Sequence, residues 1–223
     1  MDIHTWRDLD NTIIACRKCE RLVKWREYIA RVRRRAFQDW QYWGKPVTGF
    51  GDQAARLLVI GLAPGAHGSN RTGRMFTGDA SGDLLYKHLF AAGFANQPIA
   101  RDREDGLVLK DLYISAICRC APPNNKPTVE ERKNCLPYLL TEIDLLKNLK
   151  VIVALGRVAY DTVLSIYQVD HSSGFKHGKI VQLRNEDLSM VVSYHPSRQN
   201  TQTGRLTSEM FAEIWGKVND LLS

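Results

Sequence analysis

Apolar runs of strand length alternate with helical patterns along this chain, and that alternation most restricts how it folds. Runs of strand character stand at residues 56–62 (RLLVIGL), 112–117 (LYISAI), 151–155 (VIVAL), 180–183 and 190–194 (MVVSY). Between them, residues 81–94 place Leu84, Leu85, His88, Leu89 and Ala92 on one helical stripe. Thr128 and Glu131 form a capping box ahead of Leu136, Leu139, Leu140 and Ile143. Helices are also expected over residues 157–166 and 208–222, the latter turning Met210, Phe211, Ile214, Trp215 and Val218 inward. Strands alternating with helices imply a mostly parallel sheet covered on both faces. The expected fold is α/β, a three-layer αβα sandwich around four to five strands. With 223 residues, 44% of them hydrophobic, and no repeat, low-complexity tract or linker, the chain reads as one domain over residues 1–223.

In such a sheet the loops at the carboxyl ends of the strands gather into one crevice, where ligands bind. Polar residues and glycines concentrate in four of them: residues 63–78, 118–127, the stretch from Gly156, and 195–207. The first lies within the glycine-rich segment GLAPGAHGSNRTGRMFTGDASG, residues 61–82. Glycines let a backbone approach a ligand and present its N–H groups. No G-x-x-x-x-G-K-[ST] spacing occurs, so this is not a nucleotide-phosphate loop of that kind. Composition alone leaves it open between a ligand-binding loop and an irregular connection.

The formal net charge of +7 is concentrated near the start. Arg17, Lys18, Arg21, Lys24, Arg26, Arg31, Arg33, Arg34 and Arg35 face only Glu20 and Glu27, so this stretch accounts for the whole excess. Residues 1–45 are therefore read as a basic helical region, open between a solvated helix face and a stripe that neutralises nucleic-acid phosphates. Trp25, Tyr28, Phe37, Trp40, Tyr42 and Trp43 interleave with it, as stacking groups or as the buried side of the helix. The opening MDIHTWRDLDNTII lacks the features of a secretory signal, and no apolar run reaches the roughly 18 residues of a membrane span. A cytoplasmic protein without membrane attachment is expected, in which structural disulfides are disfavoured. Cys16-x2-Cys19, with Cys118, Cys120 and Cys135 about a hundred residues later, points instead to a metal or cluster site.

Gly61-Leu-Ala-Pro-Gly65 with Phe76-Thr-Gly-Asp79-Ala-Ser-Gly82 resembles the first motif of the uracil-DNA glycosylase superfamily. Cys120-Ala-Pro-Pro-Asn-Asn-Lys-Pro127, followed by Glu131 and Cys135, resembles the iron–sulfur segment of its thermophilic branches, and His195-Pro-Ser-Arg-Gln-Asn200 its closing motif. Together with Cys16 and Cys19 these span the chain from its first helix to its last. The resemblance is strongest to family 5, the type-b enzymes of thermophiles and actinobacteria. It implies a monofunctional base-excision repair hydrolase that cuts the N-glycosidic bond of uracil, and of other deaminated bases such as hypoxanthine, in single- or double-stranded DNA. It also implies a monomer with a [4Fe–4S] cluster on Cys16, Cys19, Cys120 and Cys135. Cys118 is then spare, although alternation places it on the same face as Cys120.

Within that resemblance, His195 is the expected donor to the base carbonyl O2, assisted by backbone N–H groups near Gly65 and Ala66. Phe76 is expected to stack on the flipped base, and Asn200 to belong to the same substrate-binding set. Asp79 is assigned to water activation or electrostatic support, in competition with a helix-capping role. Asn125 is a further polar contributor, with Asn124 beside it. Arg198 and Gln199 are expected to enter the minor groove, or else to lie on a surface loop; His67, Asn70 and Arg71 face either DNA or pocket. Family 4 enzymes carry an acidic residue where Leu62 stands and an asparagine where Ala116 stands. Neither polar group is present here. The rival readings are a zinc–cysteine module that binds nucleic acid without catalysis, and an iron–sulfur electron carrier.

Overall fold

The computed structural model describes residues 3–170, 174–184 and 187–223. Strands β1 (Phe50–Gly51), β2 (Leu57–Gly61), β3 (Leu112–Ala116), β4 (Val151–Leu155), β5 (Ile180–Arg184) and β6 (Leu188–Ser193) form one sheet in the order β1-β3-β2-β4-β6-β5. The four central strands run parallel, and β1 and β5 pair antiparallel at the edges. Every residue of the central strands is buried, which is why they read as unbroken apolar runs. The sheet has six strands rather than four to five, because β1 is two residues long and leaves no periodic signal.

The helices are α1 (Trp6–Ile14), α2 (Glu20–Val32), α3 (Ser69–Thr72), α4 (Ala80–Ala91), α5 (Val129–Leu145), α6 (Arg157–Tyr167), α7 (Arg198–Gln202) and α8 (Ser208–Leu222). Alternate residues of the central strands feed two cores. Leu57, Val59, Val151 and Val153 pack with Leu85 and Leu89 of α4 and Phe211, Ile214 and Trp215 of α8. Leu58, Ile60, Ile152 and Ala154 pack on the other face with Leu9 and Ile13 of α1, Leu139 of α5, and Tyr160 and Val163 of α6. These are the expected three layers. The capping box forms: Thr128 Oγ1 accepts from the Glu131 N–H, and the Glu131 carboxylate accepts from the Thr128 N–H. Among the described residues no helix is long and apolar enough to cross a membrane.

The chain passes from β2 to β3 on one side, then returns past β2 to β4 on the other. The carboxyl end of β2 therefore lies at the switch point where open α/β sheets bind ligands. The glycine-rich segment begins there.

Candidate functional site

Close approach explains the glycines of this segment. Asp79 is the N-cap of α4, its Oδ1 accepting from the N–H groups of Ser81 and Gly82 at 3.1 Å each. Its Oδ2 lies against the loop backbone, and a Cβ on Gly68 would overlap it. The cap thus forms but occupies one carboxylate oxygen and leaves the other against the loop backbone at Gly65 and Gly68. Burial pushes the Asp79 carboxyl above its ordinary range; the Gly82 and Ser81 amides and Arg71 oppose this, while Asp83 adds to it. The N–H groups of Gly65 and Ala66 enter no hydrogen bond with the described residues and remain available to an acceptor.

Phe76 has φ 51°, a left-handed conformation that costs a bulky side chain about 1–3 kcal/mol and persists where its surroundings impose it. Its ring covers Gly61, where a Cβ would lie 2.7 Å from Cζ. Across the crevice, on the loop after β6, the His195 ring stacks with Phe76, centroids 6.0 Å apart and planes at 29°. Asn200 Nδ2 donates to the His195 carbonyl at 2.9 Å, so this amide holds the histidine's backbone in place. Burial pushes the His195 imidazole down to about 4. It is therefore neutral at pH 7, with one N–H to donate. Gly61 pairs in register with Ala116, whose side chain joins the same core as Phe76, whereas Leu62, one residue on, packs against the opposite core.

Cys16, Cys19, Cys120 and Cys135 line one cavity, together with Arg119, Asn134 and Tyr138. Cys118 is not among its lining residues. The neighbouring Cys135 sulfur and burial raise its thiol far above the ordinary range. Three of the other four sulfurs accept a hydrogen bond: Arg26 Nη1 reaches Cys120 Sγ at 3.1 Å, the Arg119 N–H reaches Cys135 at 3.3 Å, and Asn134 Nδ2 reaches Cys19 at 3.7 Å. Arg26 Nε and Arg119 Nε and Nη1 are buried with no partner. Two buried guanidinium groups with spare donors beside four cysteines fit an anionic group.

Among the described residues no three His, Cys, Asp or Glu side chains come close enough to share one metal ion. A tetrahedral zinc would draw four sulfurs to about 2.3 Å from one point. A multi-iron cluster gives each cysteine its own iron, so its sulfurs surround a larger space.

Residues 48–219 match the uracil DNA glycosylase superfamily. The chain belongs to the uracil-DNA glycosylase superfamily. It is 51% identical over 204 residues to the type-5 uracil-DNA glycosylase of Thermus thermophilus, spanning 91% of this chain and 92% of that protein. The type-5 enzyme of Mycobacterium leprae is 49% identical over 217 residues, 96% of this chain and 94% of that protein. A type-4 uracil-DNA glycosylase of Archaeoglobus fulgidus is more distant, at 26% over 194 residues, 85% of this chain and 80% of its own.

A charge run says little about where its side chains end up. Arg17 pairs with Glu27, Arg21 with Glu131 and Lys24 with Glu20, while Arg26 turns into the cavity. Lys18, Arg31, Arg33, Arg34 and Arg35 are exposed and pair with no carboxylate among the described residues, and these keep the character of a phosphate-binding face. Asn124 and Asn125 sit at φ 53° and 56° on an exposed turn, in no side-chain hydrogen bond with Asp79 or His195. Arg198 and Gln199 are exposed on α7.

Asn70 and Arg71 are buried. Arg71 lies 4.0 Å from the ring centroids of both Phe37 and Trp40, and donates to the carbonyls of His67 and Gly78. His67 Nδ1 lies 3.1 Å from the Tyr42 hydroxyl. Sequence reasoning gave these aromatics no partner. In the sequence they stood open between stacking groups and the buried side of a helix.

Proposed function

We propose that this protein excises uracil from DNA by hydrolysing its N-glycosidic bond, leaving an abasic site, and that its cysteine cavity holds a [4Fe–4S] cluster. One observation carries the catalytic reading. A neutral His195 stacks with Phe76, and the uncapped oxygen of Asp79 lies against the loop backbone at Gly65 and Gly68, on the loops at the switch point of the sheet.

Breaking the bond places positive charge on the sugar and negative charge on the departing base, and requires the nucleotide to leave the helix. Phe76 stacks on the extruded ring. His195 donates its N–H to base O2 as charge develops there, and the Gly65 and Ala66 N–H groups add to this preset field. Asp79 Oδ2 orients water toward the sugar or supports its positive charge. Asn125 supplies a further polar contact, Asn200 fixes the His195 backbone, and Arg198 and Gln199 fill the space the base has left. When bound, the cluster cross-links the N-terminal region to the loop after β3 and the start of α5, and takes no part in the hydrolysis. The enzyme is expected to act as a cytoplasmic monomer. Incubation with a uracil-containing oligonucleotide followed by alkali breaks the strand where uracil stood; an intact strand at enzyme excess would overturn the activity.

Cysteine replacement tests the cavity. Cys16→Ala, Cys19→Ala, Cys120→Ala and Cys135→Ala each lose the absorbance near ~400 nm expected of an iron–sulfur centre and their iron, whereas Cys118→Ala keeps both. Iron retained by Cys120→Ala and lost by Cys118→Ala reverses the assignment. A colourless protein containing zinc removes the cluster altogether.

The absence of a polar side chain at Leu62 and at Ala116 predicts a broader base range, with hypoxanthine the first additional substrate. A pocket that selects through buried polar groups penalises the wrong base by leaving those groups unpaired, by as much as about 10⁴-fold. Without them, a stacking ring and carbonyl-directed donors accept a flat deaminated purine at some loss of rate. Ala116→Asn narrows activity toward uracil. Single-turnover assays on uracil, hypoxanthine and thymine opposite each normal base test this, and hypoxanthine left intact at high enzyme excess refutes it.

A further inference from the structure

The cysteine cavity and the base-pocket loop are joined through two buried side chains to which the chemistry above gives no part. Arg26, 2% exposed on α2, reaches Cys120 Sγ through Nη1 and the Cys16 carbonyl through Nη2 at 3.3 Å. Its own carbonyl accepts from Asn70 Nδ2 at 3.3 Å. Asn70 is wholly buried on α3, and the same Nδ2 lies 3.4 Å from the Ala66 carbonyl. The Asn70 N–H donates to the Gly65 carbonyl at 3.0 Å, and its carbonyl accepts from the Gly44 N–H at 3.1 Å. A continuous line of hydrogen bonds thus leads from two of the cavity cysteines to the two residues whose N–H groups are unused. Asn70 Oδ1 is buried without a donor, so the donor half of this amide is the half the fold employs.

We infer that Arg26 and Asn70 are positioning residues that hold the base-pocket loop in register from the cysteine cavity, an inference resting on the reading of Gly65 and Ala66 as base contacts. Residues 65–70 have no strand or long helix to fix them, and only the two carbonyls of Gly65 and Ala66 tie their first turn to Asn70. Donors preset around a developing charge lose much of their effect when displaced by a fraction of a bond length.

Holoprotein carrying Asn70→Ala, Arg26→Gln or both separates this from general stability. The readouts are iron per chain, hydrogen exchange at the amides of Gly44, Arg71 and Thr72, exchange in β4, and single-turnover excision of uracil. Asn70→Ala keeps its iron and its β4 protection, exchanges the loop amides about tenfold faster or more, and excises uracil about tenfold more slowly. The double variant is no worse than the more affected single variant, because both act through one line of contacts. Arg26→Lys replaces Arg26→Gln should the latter fail to fold. Unchanged loop exchange in Asn70→Ala, or additive effects in the double variant, overturns the relay. Faster exchange at an unchanged excision rate keeps the relay and removes Gly65 and Ala66 from the base contacts.

Discussion

His195→Ala is expected to lower single-turnover uracil excision by on the order of 10²–10³, the effect of losing one preset donor worth about 2.7–4 kcal/mol. Binding to abasic product DNA stays nearly unchanged, because the contact strengthens only as negative charge builds on the base. Burial makes this donor available at neutral pH, holding the imidazole at about 4 against an ordinary 6.5. The folded pKa lies below the unfolded one, so the unfolded chain takes up the proton first as pH falls. Stability tied to His195 is complete above pH 6.5 and is lost progressively between 6.5 and about 4. His195→Ala therefore flattens acid unfolding in that window. A loss of excision under about threefold would take His195 out of the mechanism.

Asp79→Asn separates the two uses of one carboxylate. The amide oxygen of asparagine can still accept from the Ser81 and Gly82 N–H groups, so the cap on α4 survives while the charge is lost. Excision is expected to fall by about 10²–10⁴, the usual range for a group that manages a proton or its charge, with little change in thermal unfolding. Asp79→Ala is equally inactive and additionally loses about 1 kcal/mol of helix capping. Because burial raises this carboxyl, the acid limb of excision in the native enzyme lies above the ordinary carboxylate range, and Asp79→Asn lacks it. Asp79→Asn retaining native excision would leave Asp79 a helix cap and nothing more.

Burial and local periodicity made the layers of this protein legible in its sequence. The central strands are apolar on both faces because both faces are covered, and α8 runs over the residues its 3.6-residue stripe marks out, Ser208–Leu222. The capping box on α5 was readable for the same reason: its two partners are three residues apart. The motifs at Gly61, Cys120 and His195 were equally legible because their spacing is local. The αβα layering, the family and the loops that carry its motifs were thus legible in the chain itself. The packed fold decides which side chains meet: that one oxygen of Asp79 caps while the other lies against Gly65 and Gly68, that Cys118 stands outside the cavity, that Arg26 leaves the basic stripe for Cys120, and that Phe37 and Trp40 enclose Arg71. Each of these joins residues on different elements or on an irregular loop, where no period relates position in the chain to direction in space. A charge or an aromatic ring is then assigned its partner only when the packed sheet brings the two together.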